Sequence, residues 1–172
     1  LVQFAVMGSL YATGVLGVKN PRVGLMSVGE EETKGGPRAR QRNLVLKAAG
    51  IRFIGNVEGG DVFNDKVDVI VCDGFTGNVI LKVAEGFGEM VVGMLMNEAR
   101  QSPMYGAGLL MAKGAFRNLR SKVDYSEYGG APLLGVNGLV YVGHGRSDAR
   151  AIESALLSAA EGVRAGVLQT VA

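Results

Sequence analysis

The stretch Val69–Asn78, VIVCDGFTGN, decides how the rest of the chain is organised. Val67 to Cys72 is an apolar run of strand length, too short for a helix. It breaks at Asp73-Gly74, and an amphipathic run starts at Val79-Ile80-Leu81 and continues to about Arg100. A strand feeding a helix through a short glycine-bearing turn is the repeating unit of a parallel sheet, whose ligands sit beyond the carboxyl ends of the strands. Gly74 and Gly77 permit positive φ and close approach of backbone to a ligand. Asn78 stands at the expected N-cap, so free N–H groups and the helix dipole would face a bound oxyanion. Neither standard phosphate motif is present: GxGxxG needs glycine where Thr76 stands, and the Walker pattern needs a Gly-Lys-Ser/Thr. An ordinary strand-to-helix turn with an asparagine cap fits the same residues.

The same alternation continues on both sides. Leu1 to Gly17 has helical spacing at Val2, Ala5, Val6, Ser9 and Leu10 with no start signal before it, which suggests a chain beginning inside a longer protein. Val23 to Val28 reads as a strand, GEEETKGG as a polar loop, Arg40 to Ala49 as a helix ended by Gly50, and Ile51 to Ile54 as a strand leading into NVEGGD. After the long helix from Val79, a second is expected from Leu109 to about Val123. A strand over Leu139–Val142 and a closing helix from Ser147 to about Leu168 complete the pattern. The expected fold class is α/β, a mostly parallel sheet sandwiched by helices, in one domain over residues 1–172.

Composition sets bounds. With 172 residues and 48% hydrophobic content the chain can bury a substantial core. A net charge of +2 gives no argument for nucleic acid. The single cysteine cannot form a bridge within the chain, which fits a reducing compartment. The long uncharged stretch Tyr128 to Gly145 is interrupted by glycines, Pro132 and Asn137, so no spanning helix is expected there.

Several residues have two readings. Glu30-Glu31-Glu32 reads as a solvated acidic turn, since three consecutive carboxylates cannot face one ion from a regular element, and no metal is expected. Lys34 is a surface lysine or, following a strand end, a cation for the same anion as the DGFTGN loop. Cys72 reads as a small buried hydrophobe. His144, in VGHGRSD, fits either a hydrogen-bonded structural role or catalysis. Between Ala99 and Val123 five residues are basic and none is acidic. There Leu109, Ala112, Phe116, Leu119 and Val123 share one helical face, while Lys113, Arg117 and Arg120 share the neighbouring one. That segment is a core helix with a basic edge, or an interfacial helix placing Met104, Leu109, Leu110 and Met111 among lipids.

Taken in order, VGLMSVGEEETKGG, FIGNVEGGDVF, VDVIVCDGFTGNVILKVAEG and YGGAPLLGVNGLVYVGHGRSDARAI closely resemble the carboxyl-terminal half of the bacterial acyl-carrier-protein–phosphate acyltransferases, the PlsX family. The resemblance covers nearly the whole chain; the family's amino-terminal half, with its DAMGGD-type segment, has no counterpart. It implies a fold similar to phosphate acetyltransferases and isocitrate-type dehydrogenases, with a protruding amphipathic helical segment over 101–123. It also implies transfer of a fatty acyl group from acyl-carrier protein to inorganic phosphate, giving acyl phosphate for phospholipid synthesis. No cofactor is implied; the partners are the carrier protein, phosphate, a second copy of the chain and the inner face of the cell membrane, approached from the cytoplasm. On this resemblance Lys34 and Asn78 are catalytic, the first attracting phosphate and offsetting charge, the second donating to the carbonyl oxygen. Asp73, Gly74, Thr76, Gly77, His144 and Gly145 bind substrate. Two other classes stay open: an acetyl-transferring or dehydrogenase relative on the same sheet, and a non-catalytic lipid- or carrier-binding module.

Overall fold

The computed structural model describes residues 1–32, 34, 36–116 and 129–171. The chain opens with helix α1, Val2–Gly14, whose buried residues Ala5, Ser9 and Ala12 recur at helical spacing on one face. Strand β1, Val23–Met26, follows, then helix α2, Gly36–Lys47, strand β2, Phe53–Val57, and a 3-10 turn over Gly59–Phe63. Strand β3 is Val69–Val71. The three strands form one parallel sheet in the order β2-β1-β3.

The core lies on one face of this sheet. Val23, Leu25 and Val71 point at Ala5 of α1 and Leu46 of α2, all buried, with Leu1, Val2, Ile51, Phe53 and Val69 packed around them. Burying a side chain such as Val23 or Leu46 completely contributes about 1.5–3 kcal/mol. On the other face Gly24 lies under Val57 and Val67, where a Cβ would be 2.5 Å from Val57. Val57 belongs to β2 and Val67 to the β2–β3 connection. The bidentate pair Arg22–Asp68, at 2.9 Å, joins the entry to β1 with the entry to β3, and the Arg22 backbone N–H adds a bond of 2.7 Å.

The remaining elements depart further from the sequence reading. Helix α3 runs over Gly74–Gln101 and helix α4 over Pro103–Met111. The expected Leu109–Val123 helix is thus broken: α4 begins earlier, with Ser102 as N-cap and Pro103 in its first turn, and ends at Ala112. Leu119, Val123, Arg117 and Arg120 lie outside the described residues. Strand β4, Gly130–Pro132, was not anticipated; it pairs antiparallel with β5, Tyr141–Gly143, in a separate two-stranded sheet. Helix α5, Ala149–Arg164, is capped by Asp148 accepting from the Ala151 N–H at 2.9 Å, and packs on that sheet. Gly166, at φ +63°, ends the run that had read as one helix to Leu168, and a short helix α6, Val167–Val171, follows.

Candidate functional site

Because β1 and β3 are adjacent and parallel, the segments leaving their carboxyl ends emerge on one edge, from strands about 4.8 Å apart. Lys34 follows β1 and Asp73–Asn78 follows β3, so the topology brings Lys34, Asp73, Gly74, Thr76, Gly77 and Asn78 to the same edge. Both Lys34 and Asn78 are exposed.

The helix start differs from the sequence reading. Asp73, not Asn78, is the N-cap of α3: its carboxylate accepts from the Thr76 N–H at 2.9 Å and the Thr76 hydroxyl at 2.8 Å. Those bonds hold the Asp73 carboxyl below its ordinary range. Gly74 and Gly77 are therefore helical and carry no positive φ. At Gly77 the missing side chain lets the helix settle on the strand, since a Cβ there would lie 3.2 Å from Cys72 Sγ. Asn78 sits in the second turn of α3. The positive end of the helix is already occupied by the Asp73 carboxylate and is not a bare terminus.

Cys72 is half-buried, and burial, then the neighbouring charge of Asp73, pushes its thiol up, which disfavours the thiolate a nucleophile needs.

His144 and Gly145 follow β5 and belong to the second sheet, yet they come against α3. The Glu85 carboxyl is held down first by Lys82, at 2.8 Å, and further by the charges of His144 and Arg146. Arg146 reaches Glu89 at 3.9 Å. His144 Nδ1 accepts from the Arg146 N–H at 3.1 Å. Asn78, Lys82, Glu85 and Glu89 stand at i, i+4, i+7 and i+11, one stripe of α3. The His144 loop therefore faces that stripe near Glu85, roughly 10 Å along the helix from Asn78. Lys82, Glu85 and Glu89 were missed in the sequence, although their spacing from Asn78 was legible once the helix was extended.

The acidic run Glu30–Glu32 is neutralised by lysines: Lys66 pairs with Glu30 and, at 3.2 Å, with Asp61, while Lys47 pairs with Glu32. Among the described residues no cluster of His, Cys, Asp or Glu could hold a metal ion.

Of the four residues assigned to lipid contact, Met104, Leu110 and Met111 are 74%, 72% and 90% exposed. Leu109 is half-buried instead. With Leu95, Ala99, Tyr105, Ala112 and Phe116 it lines a cavity of about 250 Å³ between α3 and α4. No helix among the described residues is long and apolar enough to cross a membrane.

These features define an α/β protein with its candidate site at the carboxyl edge of a small parallel sheet. A family model described as fatty acid synthesis protein matches residues 1–170, and the chain belongs to that family. Among curated relatives it is 52% identical over 172 residues to the phosphate acyltransferase of Geotalea uraniireducens, covering all of this chain and 50% of that protein. It is 51% identical over 172 residues to the phosphate acyltransferase of Geobacter sulfurreducens, again all of this chain and 50% of that protein. It is 50% identical over 169 residues to that of Geotalea daltonii, 98% of this chain and 49% of that protein. The chain spans about half the length of the curated relatives it matches, and the resemblance carried by its GEEETKGG and DGFTGN motifs is borne out.

Proposed function

We propose that the chain is the catalytic-loop half of an enzyme that moves a fatty acyl group from acyl-carrier protein to inorganic phosphate. What supports this reading is that Lys34 and Asn78 lie on the segments that follow β1 and β3, two adjacent parallel strands, in a chain whose relatives are named phosphate acyltransferase. A phosphate oxygen attacks the thioester carbonyl carbon, the C–S bond breaks, and the phosphate proton passes to the departing thiolate, leaving acyl phosphate and a free thiol. A thiol of pKa about 8.5 departs near neutral pH without a strong general acid. The protein's tasks are then to hold phosphate beside the carbonyl and to stabilise the oxyanion. The Lys34 ammonium attracts phosphate and offsets charge, and the Asn78 amide donates to the carbonyl oxygen. Asp73 and Thr76 fix the helix start that presents Asn78, with Gly77 leaving it close to Cys72 at the end of the strand. His144 and Gly145 bound the substrate further along α3. No cofactor takes part.

The exposure of Met104, Leu110 and Met111 supports peripheral contact with a cytoplasmic membrane face, where the product would be used. Apolar side chains left exposed along α3 support assembly as a homodimer. A sheet with its site at the carboxyl edge fits the likeness to phosphate acetyltransferases and isocitrate-type dehydrogenases.

The test is acyl phosphate formation from acyl-carrier protein and phosphate by a full-length enzyme carrying this half. Lys34→Ala and Asn78→Ala are each expected to lower turnover by about 10²–10³-fold with the fold intact. Near wild-type turnover in either variant overturns that residue's role. Absence of acyl phosphate from the unmodified enzyme points instead to a non-catalytic carrier- or lipid-binding module, and use of coenzyme A thioesters alone to an acetyl-transferring relative.

A further inference from the structure

The backbone N–H of Lys34 donates to the carbonyl of Glu31 at 2.9 Å. That carbonyl accepts a second hydrogen bond, also 2.9 Å, from Nδ2 of Asn56 on β2. Asn56 Oδ1 in turn accepts from Asn43 Nδ2 on α2 at 3.0 Å. Both asparagines are buried, at 2% exposure for Asn43 and 4% for Asn56. Buried amides weaken a core unless their hydrogen bonds are made, so apolar residues would serve packing as well or better. This pair instead carries a chain of hydrogen bonds from the core to the one carbonyl on which the Lys34 backbone is fastened.

A second contact controls the side chain. Gly29 is buried, and a Cβ built on it would lie 2.8 Å from Lys34 Cγ and 3.4 Å from Cδ. The lysine stem therefore crosses the bare Cα of Gly29. Outside, the Lys66–Glu30 and Lys47–Glu32 pairs restrain the carboxylates on either side of Glu31.

We infer that Asn56, itself oriented by Asn43, is a positioning residue that sets where the Lys34 ammonium stands, with Gly29 as the surface along which the side chain is laid. This rests on the catalytic reading of Lys34. Asn56 touches neither substrate nor the reacting atoms; it acts through the Glu31 carbonyl.

The decisive variant is Asn56→Asp, which keeps size and the acceptor for Asn43 but replaces the donor with a carboxylate oxygen facing the Glu31 carbonyl. In a full-length enzyme kcat/KM for phosphate is expected to fall about 10- to 100-fold, the scale of a misplaced catalytic group. In a Lys34→Ala background the same change should cost less than about twofold, because residues acting as a unit are not additive. Gly29→Ala, whose Cβ would crowd both the Lys34 stem and the Glu31 carboxylate, should show the same pattern if Asn56→Asp folds poorly. Independently of activity, amide hydrogen exchange at Lys34 should accelerate at least about tenfold in Asn56→Asp while that of Leu25 in β1 stays within about twofold. A full multiplicative loss in the Lys34→Ala background, or unchanged exchange at Lys34, overturns the positioning role. Undiminished turnover in Lys34→Ala alone with accelerated exchange in Asn56→Asp overturns the catalytic reading of Lys34 and upholds the clamp.

Discussion

The first 73 residues and the α3–α4 pair are built on opposite terms. In the first region three short strands and two helices share one contiguous core, in which Ala5, Val23 and Leu46 are completely hidden. In the second, α3 runs for 28 residues without one buried side chain, and Leu81, Val83, Phe87, Val92 and Met94 are each 60% exposed or more. Among the described residues α3 and α4 meet each other around a cavity and leave the rest of their apolar surface uncovered. Apolar surface of that extent marks a place where something else packs. The lesson is that the sheet's stability is internal to the chain, whereas that of α3 and α4 depends on what covers them.

Four outcomes break or sharpen this contrast. The largest effect belongs to the core: Leu46→Ala should lower unfolding free energy by about 3 kcal/mol in urea titrations, whereas Leu81→Ala should change it by no more than about 0.5 kcal/mol. Equal costs at the two positions would erase the distinction between the regions. Next, replacing Met104, Leu110 and Met111 together by serine should weaken co-sedimentation with anionic vesicles by at least about tenfold, through loss of apolar burial. Unchanged binding would remove α4 from any lipid contact. Smaller again, Asp73→Ala removes the cap that starts α3 at the sheet edge and should cost about 1 kcal/mol, read from thermal melts. A neutral result would mean that the α3 start is held by packing on Cys72 alone.

The smallest effect is one of pH. Two side-chain hydrogen bonds from Arg22, supported by its backbone N–H and its charge, hold the Asp68 carboxyl down to about 2. An unfolded aspartate titrates near 3.9. A folded-state value below the unfolded one means that the native state is favoured above about pH 4, and that this contribution is lost as pH falls towards 2. Asp68→Asn should therefore lower stability at neutral pH and flatten its dependence between those values. An acid limb with the wild-type slope would assign acid sensitivity elsewhere.

How much of this was legible follows the same division. β1 and β3 announced themselves as short apolar runs, whereas β2, Phe53–Val57, begins and ends later than the expected Ile51–Ile54 because Gly55 and Asn56 read as turn residues; the strand-to-helix step at Val69–Asn78 located the candidate edge. Lys34 and Asn78 came from their motifs, and the parallel order of β1 and β3 sends the segments that carry them out at the same sheet edge. The start of α3 was misplaced because glycine spacing was taken as turn chemistry, while the Asp73–Thr76 pair supplied a cap five residues earlier. β4 escaped because GAP carries no alternation and a proline, which an edge strand tolerates. Asn43 and Asn56 were invisible for different reasons: Asn43, a polar residue in a helical pattern, reads as outward-facing, and Asn56 was read as part of the turn NVEGGD, whereas it lies inside β2 and is buried against Asn43.

The meeting of Gly77 with Cys72 turns the sequence's single cysteine into a gauge of the sheet edge. The thiol is half-shielded and biased towards its neutral form, so alkylation in the native protein should be slowed while the first turn of α3 stays seated beside it and should quicken when that turn lifts. Labelling kinetics at Cys72, compared with those of the unfolded chain, thereby report how often the helix start opens. The same measurement with phosphate or acyl donor present records whether a ligand locks that turn shut, with no engineered probe added.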